Sequence, residues 1–243
     1  MWWSSLFEGM SSAAFFNFSF LPKYGGYFLQ GIAYTLLLAV VSVLLAVIPA
    51  LLLAIMRLQK SRVVRFLSGA YIAVFRSTPL LVQLSIIYFG LFGVISIPRV
   101  NVFGFIDISR FIPGVVALAL NSAAYVAEIF RAGILAVDSG QTEAARSLGL
   151  TGWQSMRLVV LPQAVKNVLP ALANEIVTMV KESSICSTLG MVEMMFAAKT
   201  VASSTYISLG PYILAAMIYF CINFPASKAI EAIERRMRRG DKQ

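Results

Sequence analysis

The 243-residue chain contains no histidine. That absence removes Ser-His-Asp and Cys-His catalysis, HExxH zinc sites and histidine proton relays together. Cysteine is scarce as well. Cys186 and Cys221 both lie in apolar stretches without the partner spacing of a metal site, and both read as small buried hydrophobes. No Gly-Lys-Ser/Thr phosphate loop occurs, so the chain does not bind ATP in the P-loop manner. No lysine or arginine precedes Lys23. The charged start of a secretory signal is therefore missing, and the first apolar span is expected to target the chain and stay in the bilayer. Charge itself is thin, at 13% of residues against roughly a quarter in soluble domains.

What is present is apolar. Hydrophobic residues make up 59% of the chain, in windows too long to be exposed or to share one small core. The fold class this implies is all-α: a polytopic membrane protein with five transmembrane helices. The spans read as Leu29–Met56 with a bend at Pro49, Val63–Ile97 with a kink at Pro79, Ile112–Val137, Val168–Leu189 and Tyr206–Ala226. Residues 1–25, with Trp2, Trp3, Phe15, Phe16, Phe18 and Tyr24, form an interfacial segment. Residues 26–227 read as one transmembrane domain, with a loop at 138–166, and residues 228–243 as a basic tail. No internal repeat, soluble domain or dividing linker is visible.

The net charge of +9 does not point to nucleic acid, because the cations cluster beside apolar spans. Arg57, Lys60, Arg62 and Arg65 lie between spans one and two. Arg131, Arg146, Arg157 and Lys166 lie between spans three and four. Lys228, Arg235, Arg236, Arg238, Arg239 and Lys242 lie in the tail. The opposite segments hold only Lys23, Arg99, Arg110 and Lys199. The positive-inside rule puts the N-terminus outside and the C-terminus in the cytoplasm, as an odd number of spans also requires.

The loop between spans three and four is short, polar and mixed in charge. Thr142 caps a helix favoured by Glu143, Ala144, Ala145 and Leu148, with Glu143 in the first turn where a carboxylate suits the helix dipole. Gly149 stands where a helix ends in a positive-φ residue. Trp153, Met156, Leu158 and Leu161 give a second helix an apolar side, and Pro162 resets the backbone before span four. A rigid helix–glycine–helix knob transmits force where a floppy loop cannot.

The run Glu143-Ala144-Ala145-Arg146-Ser147-Leu148-Gly149, separated by nine residues from Val159-Val160-Leu161-Pro162, resembles the EAA loop of bacterial ABC importer permeases. The resemblance extends through Gly31-Ile32-Ala33-Tyr34-Thr35-Leu36, Phe75 to Gln83, Asn121 to Arg131 and Lys181-Glu182-Ser183-Ser184. Together these are similar to the polar amino acid branch, the histidine, glutamate, glutamine, arginine and opine group. The match covers about 31–236; Val159 stands where the family loop usually has Ile, and the first 25 residues have no counterpart.

The resemblance implies a transport subunit of the bacterial cytoplasmic (inner) membrane, not an enzyme, with the type I importer permease fold. It implies as partners two ATPase subunits that use ATP and Mg, a second permease subunit (identical or related), an extracytoplasmic amino-acid-binding protein, a polar amino acid substrate and membrane lipids. No cofactor is expected on this chain. A self-powered carrier or channel needs no docking knob and often shows inverted repeats; an intramembrane enzyme needs a nucleophile–base pair. Neither pattern is present.

Ionisable side chains at bilayer depth are costly and seek partners or cavities. Arg76 lies 13 residues past Val63, roughly 20 Å of helix. Lys181 and Glu182 lie 13 and 14 residues past Val168, and Asn121 nine past Ile112. The four are expected to share one level. There Arg76 holds a substrate carboxylate and Glu182 its ammonium group, or the two form a structural ion pair. Glu128 and Arg131, spaced i, i+3, read as a local salt bridge, and Ser122, Ala123, Ala124 and Ala127 as a close-packing face.

Overall fold

The computed structural model describes residues 17–239, which are almost wholly helical. Trp2, Trp3, Phe15 and Phe16 of the interfacial segment and Lys242 of the tail lie outside the described residues. Three helices are long and apolar enough to cross a membrane alone: α1 (Leu21–Leu58), α5 (Ile108–Leu135) and α10 (Gly210–Arg239). Two bent helix pairs pass the same test jointly, which gives up to five spans.

The first pair is α2 (Arg62–Ser77) and α3 (Leu80–Ser85). The latter continues as a π-helical segment, Ile86–Leu91, into a last turn, α4 (Phe92–Val94). The two halves meet at 106°, so the kink expected at Pro79 is a full elbow. Thr78 and Pro79 are both extended there, as the residue before a proline prefers. An antiparallel ladder of two residues a side, β1 (Asn101–Val102) with β2 (Ile106–Asp107), then leads into α5. Asp107 caps that helix by accepting from the Ser109 N–H at 3.0 Å.

The second pair replaces the simple span expected at 168–189. Two short helices, α6 (Ser139–Ser147) and α7 (Gly152–Ser155), lead through a π-helical segment, Met156–Val160, into α8 (Leu161–Glu182). A 3₁₀ segment, Ser183–Leu189, follows. After a break and a 47° bend comes α9 (Met194–Thr205). Pro162 does not reset the backbone. It sits at the N-terminal edge of α8, inside a helical run continuous from Gly152, where the preceding π-turn already forgoes regular bonding. Pro49 is likewise carried inside α1 without ending it. The tail expected after 227 begins as helix, since α10 continues to Arg239.

The core is set by small residues. On α1, Thr35, Ala39, Ser42, Ala46, Ala50 and Ala54 are buried at helical spacing. Ala119, Ala123, Ala124 and Ala127 on α5 meet this stripe, so two backbones lie close with no bulky side chain between them. Ser122 belongs to the same buried face of α5. Cys186 is buried as expected, but Cys221 is exposed on α10, because that helix carries apolar side chains on its outer surface too.

Candidate functional site

The 138–166 loop folds into the two-helix knob. Helix α6 begins four residues earlier than Thr142 implies. Asp138 is the cap, accepting from the Gly140 N–H at 2.7 Å, so Thr142 and Glu143 sit inside the helix and not in its first turn. A carboxylate preceding a helix by one residue outcompetes a hydroxyl further in. The C-terminal end matches the reading. Gly149 has φ 86°, the Gly149 N–H reaches the Arg146 carbonyl and the Leu150 N–H the Ala145 carbonyl. This is a Schellman closure, which favours glycine because a Cβ is strained at that φ.

The second helix opens with a capping box. Thr151 Oγ1 accepts from the Gln154 N–H, and the Gln154 side-chain oxygen accepts in turn from the Thr151 N–H. Both halves of the knob are thus rigid at their ends. Ala145 is buried against the rest of the chain, whereas Glu143 and Ala144 are exposed. Around them Leu148 is 84% exposed, Trp153 72% and Leu158 61%. Leu161 also faces outward. Leu148, Trp153 and Leu158 thus put exposed apolar area on an otherwise polar, well-capped knob.

The four intramembrane candidates do not converge. Arg76 lies with its guanidinium 5.4 Å from the Tyr125 ring centroid. It lines a polar cleft of about 470 Å³ together with Arg57, Ser77, Tyr125 and Glu128. Arg57 is the penultimate residue of α1, so Arg76 and the end of that helix line one cleft.

Arg76 and Glu182 form no ion pair, which removes the structural-pair reading. Glu128 instead binds Arg131, at 2.7 Å and 3.0 Å, as the i, i+3 spacing implies, with Arg57 at 3.8 Å on its other oxygen. Asn121 is buried. Its amide donates to Gln83 Oε1 at 2.8 Å, while Gln83 Nε2 faces the Phe75 and Thr78 carbonyls and Thr78 Oγ1 at 2.8–3.0 Å. Asn121 therefore anchors the α2–α3 elbow.

Lys181 and Glu182 end α8. Lys181 borders a groove of about 420 Å³ against α10, with Tyr219, Asn223, Phe224 and Glu231. Glu182 is half-buried and makes no hydrogen bond or ion pair among the described residues. Seven residues earlier, on the same face of α8, Glu175 accepts from Ser122 Oγ at 2.8 Å. Glu175 was not singled out from the sequence, although its i, i+7 spacing to Glu182 was legible. Glu193 was missed too, and glutamate at a helix cap carries no strong local signal. Among the described residues no cluster of His, Cys, Asp or Glu could hold a metal ion.

The described residues thus form a helical bundle with two broken spans and a well-capped knob that exposes Leu148, Trp153 and Leu158. The chain belongs to the family of binding-protein-dependent transport system inner membrane components, whose model matches residues 42–239. It is 40% identical over 215 residues to the arginine transport system permease protein ArtQ of Bacillus subtilis, covering 88% of this chain and 94% of that protein. To the nopaline transport system permease protein NocM of Agrobacterium fabrum it is 39% identical, covering 85% and 86%. A crystal structure of an amino acid ABC transporter with histidines superposes with a TM-score of 0.81 at 45% identity, over 90% of this chain and 98% of that one. The chain is thus a permease component of the amino acid ABC importer family, a multi-pass protein of the inner membrane with the type I importer fold.

Proposed function

We propose that this chain is half of the pathway of an importer for polar amino acids, with its N-terminus outside and its C-terminus in the cytoplasm. Two ATPase subunits, supplied with ATP and Mg, drive it through the α6–α7 knob. A second permease subunit completes the pathway, and an extracytoplasmic binding protein delivers the substrate. The observation that carries this reading is the knob itself: capped at both helices, closed on Gly149 and exposing Leu148, Trp153 and Leu158. Glu143, Ala144, Ala145, Leu161 and Pro162 belong to the same coupling element.

The test is Gly149→Trp, which puts a bulky side chain on a positive-φ residue. Insertion and expression are expected to persist while ATP hydrolysis no longer drives uptake. Wild-type uptake at normal expression would remove the docking role.

For the substrate, Lys181 and Glu182 are the better candidates, since Asn121 spends its amide on Gln83 and Arg76 lies in another cleft. Glu182 receives the ammonium group, supported by its side chain having no hydrogen-bond or ion-pair partner among the described residues. Glu182→Gln is expected to weaken amino acid binding roughly tenfold, about the loss of one charged hydrogen bond. Equilibrium binding of labelled arginine, glutamine and histidine to the purified complex decides it. Unchanged affinity for all three dismisses Glu182.

A further inference from the structure

The cleft between α1, α2 and α5 is short of anions. Three guanidinium groups (Arg57, Arg76 and Arg131) share one carboxylate, Glu128. Arg131 takes both short bonds to it. Arg57 reaches it only at 3.8 Å, and the buried Arg57 Nε donates to no acceptor. Arg76 rests on the face of Tyr125 and has no ion pair among the described residues. The charged residues lining the cavity of about 470 Å³ are Arg57, Arg76 and Glu128, a net charge of +1, and Arg131 already holds Glu128; the cavity is large enough for a headgroup. The cleft adjoins the most basic turn of the chain, since Lys60, Arg62 and Arg65 follow Arg57 within eight residues. On α2, Phe66 lies one heptad before the cleft residue Ala73, on the same face, and is 71% exposed.

We propose that this cleft holds the phosphate of an anionic phospholipid headgroup, drawn from the leaflet that meets the basic 57–65 turn. Guanidinium forks match phosphate oxygens in a bidentate manner, and Arg57 and Arg76 both have donors to spare. The Ser77 hydroxyl lines the same cavity. Phe66 and its apolar neighbours Val63 and Leu67, all exposed, offer the acyl chains a surface beside the headgroup. Basic pockets between transmembrane helices are a recurrent way of holding such headgroups. A soluble phosphate shares the chemistry but gains nothing from that apolar surface.

The complete transporter, purified in detergent, is examined by native mass spectrometry while phosphatidylglycerol is titrated in. The wild type is expected to retain one phosphatidylglycerol per permease copy. Arg57→Gln and Arg76→Gln should each weaken retention roughly tenfold, through the loss of one charged hydrogen bond. Arg235→Gln, on the exposed end of α10, should leave it unchanged. Equal retention in both cleft variants overturns the proposal. So does displacement of the lipid by an equal concentration of inorganic phosphate, which assigns the cleft to a free anion. If Arg57→Gln does not assemble, Arg76→Gln decides alone, because Arg76 has no ion-pair partner among the described residues to strand. An Arg76→Gln variant that keeps the lipid but loses labelled amino acid assigns that arginine to substrate, and also overturns it.

Discussion

The two broken spans solve one problem in opposite ways. Both interrupt a helix inside an apolar chain, and both leave backbone groups that hydrocarbon cannot satisfy. At the α2–α3 elbow, proline makes the break and a neutral amide repairs it. Gln83 Nε2 serves the carbonyls of Phe75 and Thr78, and Asn121 on α5 holds the other end of Gln83. At the α8–α9 break, the repair is a carboxylate. Glu193 is fully buried, accepts from the Met195 and Phe196 N–H groups at 2.8 Å and 2.7 Å, and takes the Tyr219 hydroxyl at 3.0 Å. The Met194 N–H goes to Thr35 Oγ1 on α1 at 3.1 Å.

The other side of this second break is tied as well. Gly190, at φ 74°, closes the 3₁₀ segment, and Arg110 Nη1 donates to its carbonyl at 2.6 Å. Lys199 Nζ reaches back from α9 to Ser187 Oγ at 2.8 Å. The difference is instructive: orphaned carbonyls at the first elbow call for a donor, and orphaned N–H groups at the start of α9 call for an acceptor. The first elbow is held to one other span, the second to α1, α5 and α10.

If this contrast is right, the strongest effect comes from Glu193→Ala. Two N–H groups and the Tyr219 hydroxyl lose their acceptor, at about 1–3 kcal/mol for each buried group left unsatisfied. The melting temperature of the purified protein, followed by size-exclusion chromatography after heating, should fall furthest for this variant. A wild-type melting curve would show that the carboxylate is not what holds α9.

Gln83→Leu should come second. It strands the Thr78 and Phe75 carbonyls, which have other acceptor capacity, and the Asn121 amide, for about 1–3 kcal/mol in all. A fall larger than that of Glu193→Ala reverses the ranking of the two breaks.

Adding Asn121→Leu to Gln83→Leu sharpens the point. Removing both partners of a buried hydrogen bond costs less than the sum of the single changes, so the double variant should recover about 0.5–1.5 kcal/mol of the additive expectation. Strict additivity of the melting shifts would separate the two amides.

Tyr219→Phe should be mildest, about 0.5–1.5 kcal/mol, because Glu193 keeps both backbone donors. A loss equal to that of Glu193→Ala would make the tyrosine, and not the cap, the central tie.

Much of this molecule was legible from residue types in order along the chain. The absence of histidine, the five apolar runs, the basic turns and the Gly149 closure are all local or additive properties. The Glu128–Arg131 pair and the Ala/Ser stripe on α5 follow from helical periodicity alone. The glycine turn of the knob was readable because Gly149 lies within a few residues of the groups it serves, whereas the caps Asp138 and Thr151 were not read. Even there the start of α6 slipped, since Asp138 and Thr142 are both competent caps and spacing alone does not rank them.

What the chain order could not decide is where a broken helix points. Arg76 lines one cleft with Arg57 at the end of α1, and the 106° bend follows it at Thr78 and Pro79; the spacing of residues around Pro79 predicts a kink but not its size. The bond that ties the bent segment to α5 joins Gln83 and Asn121 across 38 positions. Tyr219 and Thr35, which join Glu193 in one buried cluster, lie 26 and 158 positions from it, and each alone is an ordinary residue in an apolar helix. Which segments are helices, which faces are small and where the glycine turn falls follow from residue order, because those depend on neighbours within about one heptad. Which polar groups meet follows from the packing of distant helices, because a buried donor takes whichever acceptor that packing brings within about 3 Å.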